Sequence, residues 1–161
     1  MPRRLIVGLL VTCTVSAPAV AQDMIAVDWS GTLYAIDSVT GHQFFIDNPG
    51  PAGMNSLAKD SRGRIFTAIA IVGGPTVICH IDPDRAMVAP VVKVYLDDIR
   101  GMAFGAGDVL YAIYDGPNLA DDLYTIDLQA GAAQYVGSTG FPGIQSLAYW
   151  NGLLYAYDGG S

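Results

Sequence analysis

The sequence contains no glutamate: all 15 of its acidic residues are aspartate, and only 8 lysines and arginines stand against them. Glutamate favours helices and aspartate does not, so a helical fold is not expected. Charged residues make up 14% of the chain and hydrophobic residues 52%, which excludes a disordered protein. The shortage of basic side chains excludes a nucleic-acid-binding protein. With 19 Gly and 9 Pro as turn formers, the 161 residues predict one domain of many short strands.

The first 21 residues are typical of a secretory signal peptide. Arg3 and Arg4 precede an apolar run that is short for a membrane span, and Ala19-Val20-Ala21 is an A-x-A cleavage site. We therefore expect a mature chain of residues 22–161 that is periplasmic or secreted. Six basic residues (8 − 2) then remain against 15 aspartates, so neither nucleic acid nor a membrane surface is an expected partner.

Cysteine is also scarce. Cys13 lies in the leader, where the preceding Thr12 fits a lipoprotein signal poorly, and Cys79 is the one cysteine of the mature chain. A single cysteine forms no internal disulfide. Because Cys79 lies in the apolar stretch 76–81, we expect its thiol to be buried rather than joined to another chain.

A repeat of about 45 residues is the strongest signal in the sequence. One series at this interval is Ser56-Leu57-Ala58, Gly101-Met102-Ala103 and Ser146-Leu147-Ala148. A second series is Leu33–Asp37, Ile78–Asp82 and Leu123–Asp127. Each repeat holds four short apolar runs bounded by turn residues. These runs do not alternate between apolar and polar residues, which predicts strands buried on both faces, as in stacked four-stranded sheets.

These repeats resemble those of bacterial secreted β-propeller proteins of the YVTN/NHL-like kind. The resemblance rests on segments 33–41, 123–127 and 152–156, which read L-Y-A-I-D-S-V-T-G, L-Y-T-I-D and G-L-L-Y-A. It covers nearly all of residues 24–158. It implies an all-β fold of four-stranded antiparallel blades and says little about function, because propellers host binding, scaffolding and catalysis.

The repeats add up to an incomplete propeller. The predicted blade parts are 24–47, 55–95, 100–136 and 145–158, which supply 3 + 4 + 4 + 2 = 13 strands, or about three blades. Propellers usually have four to eight blades. Three interpretations stay open: a ring closed by a second copy of the chain, a truncated chain, and a stable open monomer.

The resemblance implies that ligands bind at the end of the blades where the inner strand of each blade begins. A polar residue stands at this point in each repeat, again 45 residues apart: Asn55, Arg100 and Gln145. We expect these three to surround the mouth of the central channel. They could bind a polar ligand, or they could satisfy loop backbone groups and channel water.

Other candidate ligand-binding residues fall in loops at the same predicted end. They are Trp29, Asp97, Asp98, Asp121 and Asp122. The tryptophan could stack on a sugar or an aromatic ligand, or seal a gap beside a short blade. The two aspartate pairs could bind calcium, although no calcium-binding loop motif is present, and aspartates in turns commonly bond their own backbone. The recurring Asp37, Asp82 and Asp127 are predicted to cap turns.

Motifs that carry chemistry are otherwise absent from the sequence. His42 and His80 lie in different repeats, and no zinc-binding spacing, nucleophile elbow or phosphate-binding loop is found. We therefore predict no catalytic residues, no metal site and no cofactor. The expected function is that of an exported, non-catalytic binding or interaction module, whose partner is a small polar ligand, another protein or a second copy. The alternatives are a fragment of a propeller lyase, hydrolase or quinone-dependent dehydrogenase, and a non-functional remnant.

Overall fold

The computed structural model describes residues 24–117 and 119–159, so the predicted signal peptide and its cleavage site lie outside the described residues. The described chain contains 13 strands and one short 3-10 turn at Ala106–Asp108, and it contains no helix that is long and apolar enough to cross a membrane. The strands are β1 (Met24–Val27), β2 (Leu33–Ile36), β3 (Gln43–Asp47), β4 (Met54–Lys59), β5 (Ile65–Ile69), β6 (Thr76–Asp82), β7 (Met87–Val94), β8 (Ile99–Phe104), β9 (Leu110–Tyr114), β10 (Asp122–Ile126), β11 (Ala133–Ser138), β12 (Ile144–Trp150) and β13 (Leu153–Asp158).

These strands form four antiparallel sheets, each of which is a simple meander. Sheet 1 has the order β1-β2-β3, sheet 2 β4-β5-β6-β7, sheet 3 β8-β9-β10-β11 and sheet 4 β12-β13. The inner strands β4, β8 and β12 pack side by side, with β1 against β4. This is the arrangement of propeller blades, so the predicted all-β partial propeller is confirmed.

The core lies between the sheets, because both faces of sheets 2 and 3 are covered. Between sheets 2 and 3, Phe66 and Ile78 pack with Leu110, and Phe66 and Phe104 place their ring centroids 5.3 Å apart. Between sheets 1 and 2, Leu33 packs in a second cluster with side chains of β4, β5 and β6. Burial on both faces explains why the strand sequences do not alternate between apolar and polar residues.

Every inner strand carries a β-bulge at the same repeat position. In β4 the pairing passes from Met54–Ile69 to Ser56–Ala68, which leaves Asn55 out of the ladder. The same shift leaves Arg100 out of the β8 ladder and Gln145 out of the β12 ladder. A second bulge recurs on the outer strands of the first three sheets, at Ile46, Val91 and Val136. The three predicted polar residues are therefore the bulged residues of their strands.

The residue that follows each inner-strand bulge is small, and between β8 and β12 the close approach of the inner strands requires this. A Cβ atom on Gly101 would lie 2.9 Å from the backbone nitrogen of Leu147 and 2.9 Å from the carbonyl carbon of Ser146. Ser56 and Ser146 hold the same repeat position in β4 and β12. The Ser56 hydroxyl is buried and has no hydrogen-bond partner among the described residues, so packing space rather than hydrogen bonding accounts for a small side chain here.

The recurring aspartates at the far end of the blades cap their turns, as predicted. Asp37 Oδ1 accepts hydrogen bonds from the backbone N–H groups of Val39 and Thr40, and Asp127 Oδ1 does the same for Gln129 and Ala130. In the second repeat, Oδ1 of the equivalent aspartate accepts from one backbone N–H, three residues on. These bonds lower the pKa of Asp37, because they stabilise its charged form.

Cys79 is a free, buried cysteine in the cluster between sheets 1 and 2, as the sequence predicts. Burial raises the pKa of its thiol to about 11. The group therefore stays protonated at neutral pH and serves as a small apolar side chain.

Substituting Gly101→Ala should destabilise the fold by about 1–3 kcal/mol, because the added methyl group meets backbone atoms of β12 that cannot move aside cheaply. Gly137→Ala is the matched control: Gly137 is also a strand glycine, and its Cβ position has no atom within 4 Å. Urea denaturation of both variants measures the difference. Equal effects of the two substitutions would contradict the close packing of β8 on β12.

Candidate functional site

The loops predicted to share one end of the blades are joined to one another by backbone hydrogen bonds. Gly53 N–H donates to the carbonyl of Trp29, and Ala70 N–H donates to the carbonyl of Gly53. Between sheets 2 and 3, Thr76 N–H donates to the carbonyl of Leu96. We call this end the loop face, formed by residues 28–32, 48–53, 70–75, 95–98, 115–117, 119–121 and 139–143.

The three bulged residues lie at the edge of the loop face, and two of them bond backbone groups. Asn55 Nδ2 donates to the carbonyl of Ile99 at 3.1 Å, which links the start of β4 to the start of β8. Gln145 Nε2 donates to the carbonyl of Gly143 at 3.2 Å, and its side chain is exposed. The amide groups of Asn55 and Gln145 thus serve the loop backbone, which is one of the two roles expected from the sequence.

Arg100 is held between carboxylates. Its Nε lies 3.2 Å from Asp98 Oδ2, and its Nη2 is paired with Asp115 Oδ2. The Arg100 side chain is about one-quarter exposed. The structure therefore brings the predicted Asp98 and Arg100 together and adds Asp115, which was not a candidate from the sequence.

The Asp115 carboxyl lies beside a second carboxyl group of this cluster, that of Asp121. Partial burial raises the pKa of Asp115, Arg100 opposes this increase, and Asp121 and Asp98 add to it. Asp121 is buried, and its Oδ2 accepts the backbone N–H of Ile144 at 2.6 Å, so it also fixes the start of β12.

Asp97 faces a separate cleft beside this cluster. The cleft has a volume of about 440 Å³ and is lined by Gly73, Gly74, Pro75, Tyr95 and Asp97. The ring of Tyr95 is exposed, and the Cβ position of Gly73 has no atom within 4 Å, so the backbone is open there. Burial raises the pKa of Tyr114, and the nearby Asp97 carboxylate adds to this increase. Neither tyrosine was a candidate from the sequence, since no motif marks an aromatic residue beside an acidic loop.

Trp29 lies in a loop that the side chain of Asp28 closes with hydrogen bonds. Asp28 Oδ1 accepts from Ser30 Oγ at 2.6 Å and from the N–H of Thr32 at 3.0 Å. These bonds lower the pKa of Asp28 to about 2. Gly31 closes the loop with a φ of +90° against the backbone of Gly50. The indole of Trp29 is exposed on the loop face, away from the Arg100 cluster in the sheet order.

Asp122 is buried at the first position of β10, beside Asp121. Among residues 24–117 and 119–159, no group of three or more histidine, cysteine, aspartate or glutamate side chains is arranged to hold a metal ion. Calcium binding by the aspartate pairs stays a sequence-based hypothesis. His42 and His80 lie toward the opposite end of their sheets, where the ring of His80 contacts Phe66.

The Asp115 carboxyl should titrate above the ordinary aspartate pKa, and Arg100→Gln should raise its pKa further because the opposing cation is removed. A carboxyl whose pKa is raised by folding stabilises the fold below its unfolded pKa, and this contribution is lost as the pH rises through the folded pKa. NMR titration of the carboxyl carbons measures both effects. Arg85→Gln, in an exposed turn at the far end of sheet 2, is the control and should leave the titration unchanged. A lower Asp115 pKa in Arg100→Gln would contradict the pairing.

The fold is similar to that of solved propeller-like structures. A PQQ-bound aldose sugar dehydrogenase from Streptomyces coelicolor matches with 16% identity and a TM-score of 0.54, over 80% of this chain and 46% of that one. A periplasmic gluconolactonase from Pseudomonas aeruginosa matches with 16% identity and a TM-score of 0.44, over 71% of this chain and 35% of that one. No protein-family model and no curated protein matches. This chain thus spans less than half of the first neighbour, and at these identities the likeness shows the fold alone.

Proposed function

We propose that the protein is a non-catalytic binding module whose loop face takes a positively charged, polar group from a small molecule or a protein side chain. The observation that carries this proposal is the cleft beside Asp97, where a carboxylate, an exposed tyrosine ring and the open backbone of Gly73 line about 440 Å³. Small-ligand pockets are commonly of this size and use few polar groups. A cation can bond the carboxylate of Asp97 and lie over the ring of Tyr95.

The charge around the cleft supports a cationic ligand. The loop face of sheet 3 carries the carboxyl groups of Asp97, Asp98, Asp115 and Asp121, while Arg100 is the basic side chain among them. Because Arg100 is already paired with two carboxylates, it offers little to an anionic ligand. The whole chain has a formal net charge of −7, which attracts cations over longer distances and repels anions.

The arrangement also favours binding over catalysis. Acid–base catalysis needs two groups that reach one substrate, and the groups near the cleft are committed to one another. Arg100 is held by Asp98 and Asp115, and Asp121 accepts the backbone N–H of Ile144. Asp97 is left as the acidic group that faces the open cleft, and a single carboxylate is suited to holding a cation.

A tri-lysine peptide should bind the protein, and Asp97→Asn should weaken this binding about tenfold, because a charge-assisted hydrogen bond is lost. Isothermal titration calorimetry at low salt measures the dissociation constant of the peptide. Tri-glutamate and tri-serine peptides are the ligand controls. Asp84→Asn, in an exposed turn of sheet 2, is the matched protein control and should bind as tightly as the original chain.

Two outcomes would contradict this proposal. In the first, tri-lysine binds equally well to the original protein, Asp97→Asn and Asp84→Asn, so the charge of Asp97 has no special part. In the second, the protein reduces an electron-accepting dye when it is given an aldose sugar and PQQ, which is bound in the structure of the similar aldose sugar dehydrogenase. That result would favour the alternative of a quinone-dependent dehydrogenase.

We also propose that the protein is exported, on the evidence of the leader in residues 1–21. Mass spectrometry of the protein recovered from a bacterial periplasm should give a chain that begins at Gln22. Replacing Ala19 and Ala21 with bulky residues should block cleavage and give the uncut mass. An uncut chain recovered from the cytoplasm without these replacements would contradict export.

A further inference from the structure

Sheets 2 and 3 each have one face that is turned toward the next sheet in the chain. One cross-strand pair of residues identifies this face in each sheet. In sheet 2 this pair is Ser56 and Ala68, and in sheet 3 it is Gly101 and Ile113. A Cβ atom on Gly101 would point at the backbone of β12. Ala68 and Ile113 are 0% and 1% exposed, because the following sheet covers them.

The equivalent face of sheet 4 is uncovered in the described chain. Its marking pair is Ser146 and Tyr157, and Tyr157 is 66% exposed. Directly paired residues lie on the same side of a sheet, so the same face also carries the pairs Ala148–Tyr155 and Trp150–Leu153. Tyr155 is 48% exposed, whereas Phe66, at the same repeat position in sheet 2, is 2% exposed. None of these six side chains is charged.

Sheet 1 shows the opposite situation, because among the described residues nothing covers its other face, the one turned away from sheet 2. In sheet 2 the corresponding face carries Cys79 and Ile81, which are buried against sheet 1. Sheet 1 has Tyr34, Ile36 and Phe45 at the same side, with Tyr34 and Phe45 in edge-to-face contact at 6.5 Å. Phe45 is 66% exposed, and Met24, paired with Ile36, is half exposed.

From these two faces we infer that the protein associates with a second copy of itself, with the open face of sheet 4 packed on the open face of sheet 1 of its partner. The contact repeats the geometry of the sheet interfaces inside the chain. The sheet 4 face carries no charged side chain, and the sheet 1 face is aromatic and aliphatic apart from Gln43 and the Asp28 carboxylate that accepts the Tyr34 hydroxyl. Large uncovered faces of this kind mark interaction sites. Four sheets from each of two copies give eight, at the upper end of the usual propeller range.

A second copy is favoured over an unrelated partner because one chain carries both halves of the contact. Two copies can satisfy both contacts at once, in a ring with two-fold symmetry. A head-to-tail contact that closes leaves no exposed face, and closed rings are the stable outcome of such contacts. The contact uses neither Asp97 nor Arg100, so its failure would leave the proposed ligand site on the loop face unaffected.

Light scattering on a sizing column should give twice the mass of one chain for the full purified protein, down to micromolar concentrations. Tyr157→Asp and Phe45→Asp, each tested alone, should each raise the dimer dissociation constant by about 30-fold or more, because each places a charge at an apolar contact centre. The matched control is Tyr135→Asp, the same change at an exposed tyrosine of β11, away from both faces. Thermal melts of all variants check that they fold.

A mixing experiment separates this contact from any symmetric alternative. A Tyr157→Asp chain keeps an intact sheet 1, and a Phe45→Asp chain keeps an intact sheet 4. An equimolar mixture therefore restores one of the two contacts, and it should form more dimer than either variant alone. If the sheet 4 face instead packed on itself, mixing would restore nothing.

Three results would overturn the inference. The original protein could stay monomeric at all concentrations, which would leave the two faces to other partners. It could form a dimer that neither Tyr157→Asp nor Phe45→Asp weakens while both variants fold. It could also form a dimer that the variants weaken but that mixing does not restore, which would exclude the pairing of sheet 4 with sheet 1.

Discussion

The structure depends on the close approach of neighbouring inner strands. Sheets that stack around an axis are widest apart at the outer strands and nearest at the inner ones, so space is shortest at β4, β8 and β12. Gly101, which faces β12, meets this constraint with no side chain, and the equivalent residue of β4 is the small Ser56. Larger residues such as Phe66 and Ile113 then fill the wider space farther out. The space between the sheets narrows toward the inner strands. A small residue therefore recurs at an interval of 45 residues, at the position of each repeat where the inner strands are closest.

The fold was predictable because its signals are local and repeated. Short apolar runs, turn residues at fixed intervals and the absence of glutamate all indicate the same architecture, and the capping role of Asp37 follows from its place after a strand. The bulges were not predictable, because a bulge is a relation between two strands. The sequence shows that Asn55, Arg100 and Gln145 are polar at equivalent positions. It does not show that each of them is the bulged residue, which is left out of the pairing with the neighbouring strand.

The candidate site was predictable only in part, for a related reason. Arg100 and Asp98 are close in sequence, and their pairing could be guessed. Asp115 joins them only because β8 and β9 are hydrogen-bonded, which brings the end of β9 beside the start of β8. Tyr114, at the end of β9, enters through the same proximity across strands, whereas Tyr95 lies in the same loop as Asp97. When the role of a residue depends on its neighbours in space, a single sequence gives no signal of that role. When the role depends on the residue's own backbone turn, the surrounding sequence motif reveals it.

The paired bulges have a consequence for how such a chain can grow. A strand's side chains alternate between two faces, so a slip of one residue would exchange the side chains that pack on the sheet before with those that pack on the sheet after. Sheets 2 and 3 each fix their register within the sheet, through one bulge on the inner strand and another on the outer strand. A 45-residue unit can therefore be duplicated or deleted as a block, and the sheets on either side keep their alignment. The number of blades can change over evolution while the internal geometry of each blade is preserved.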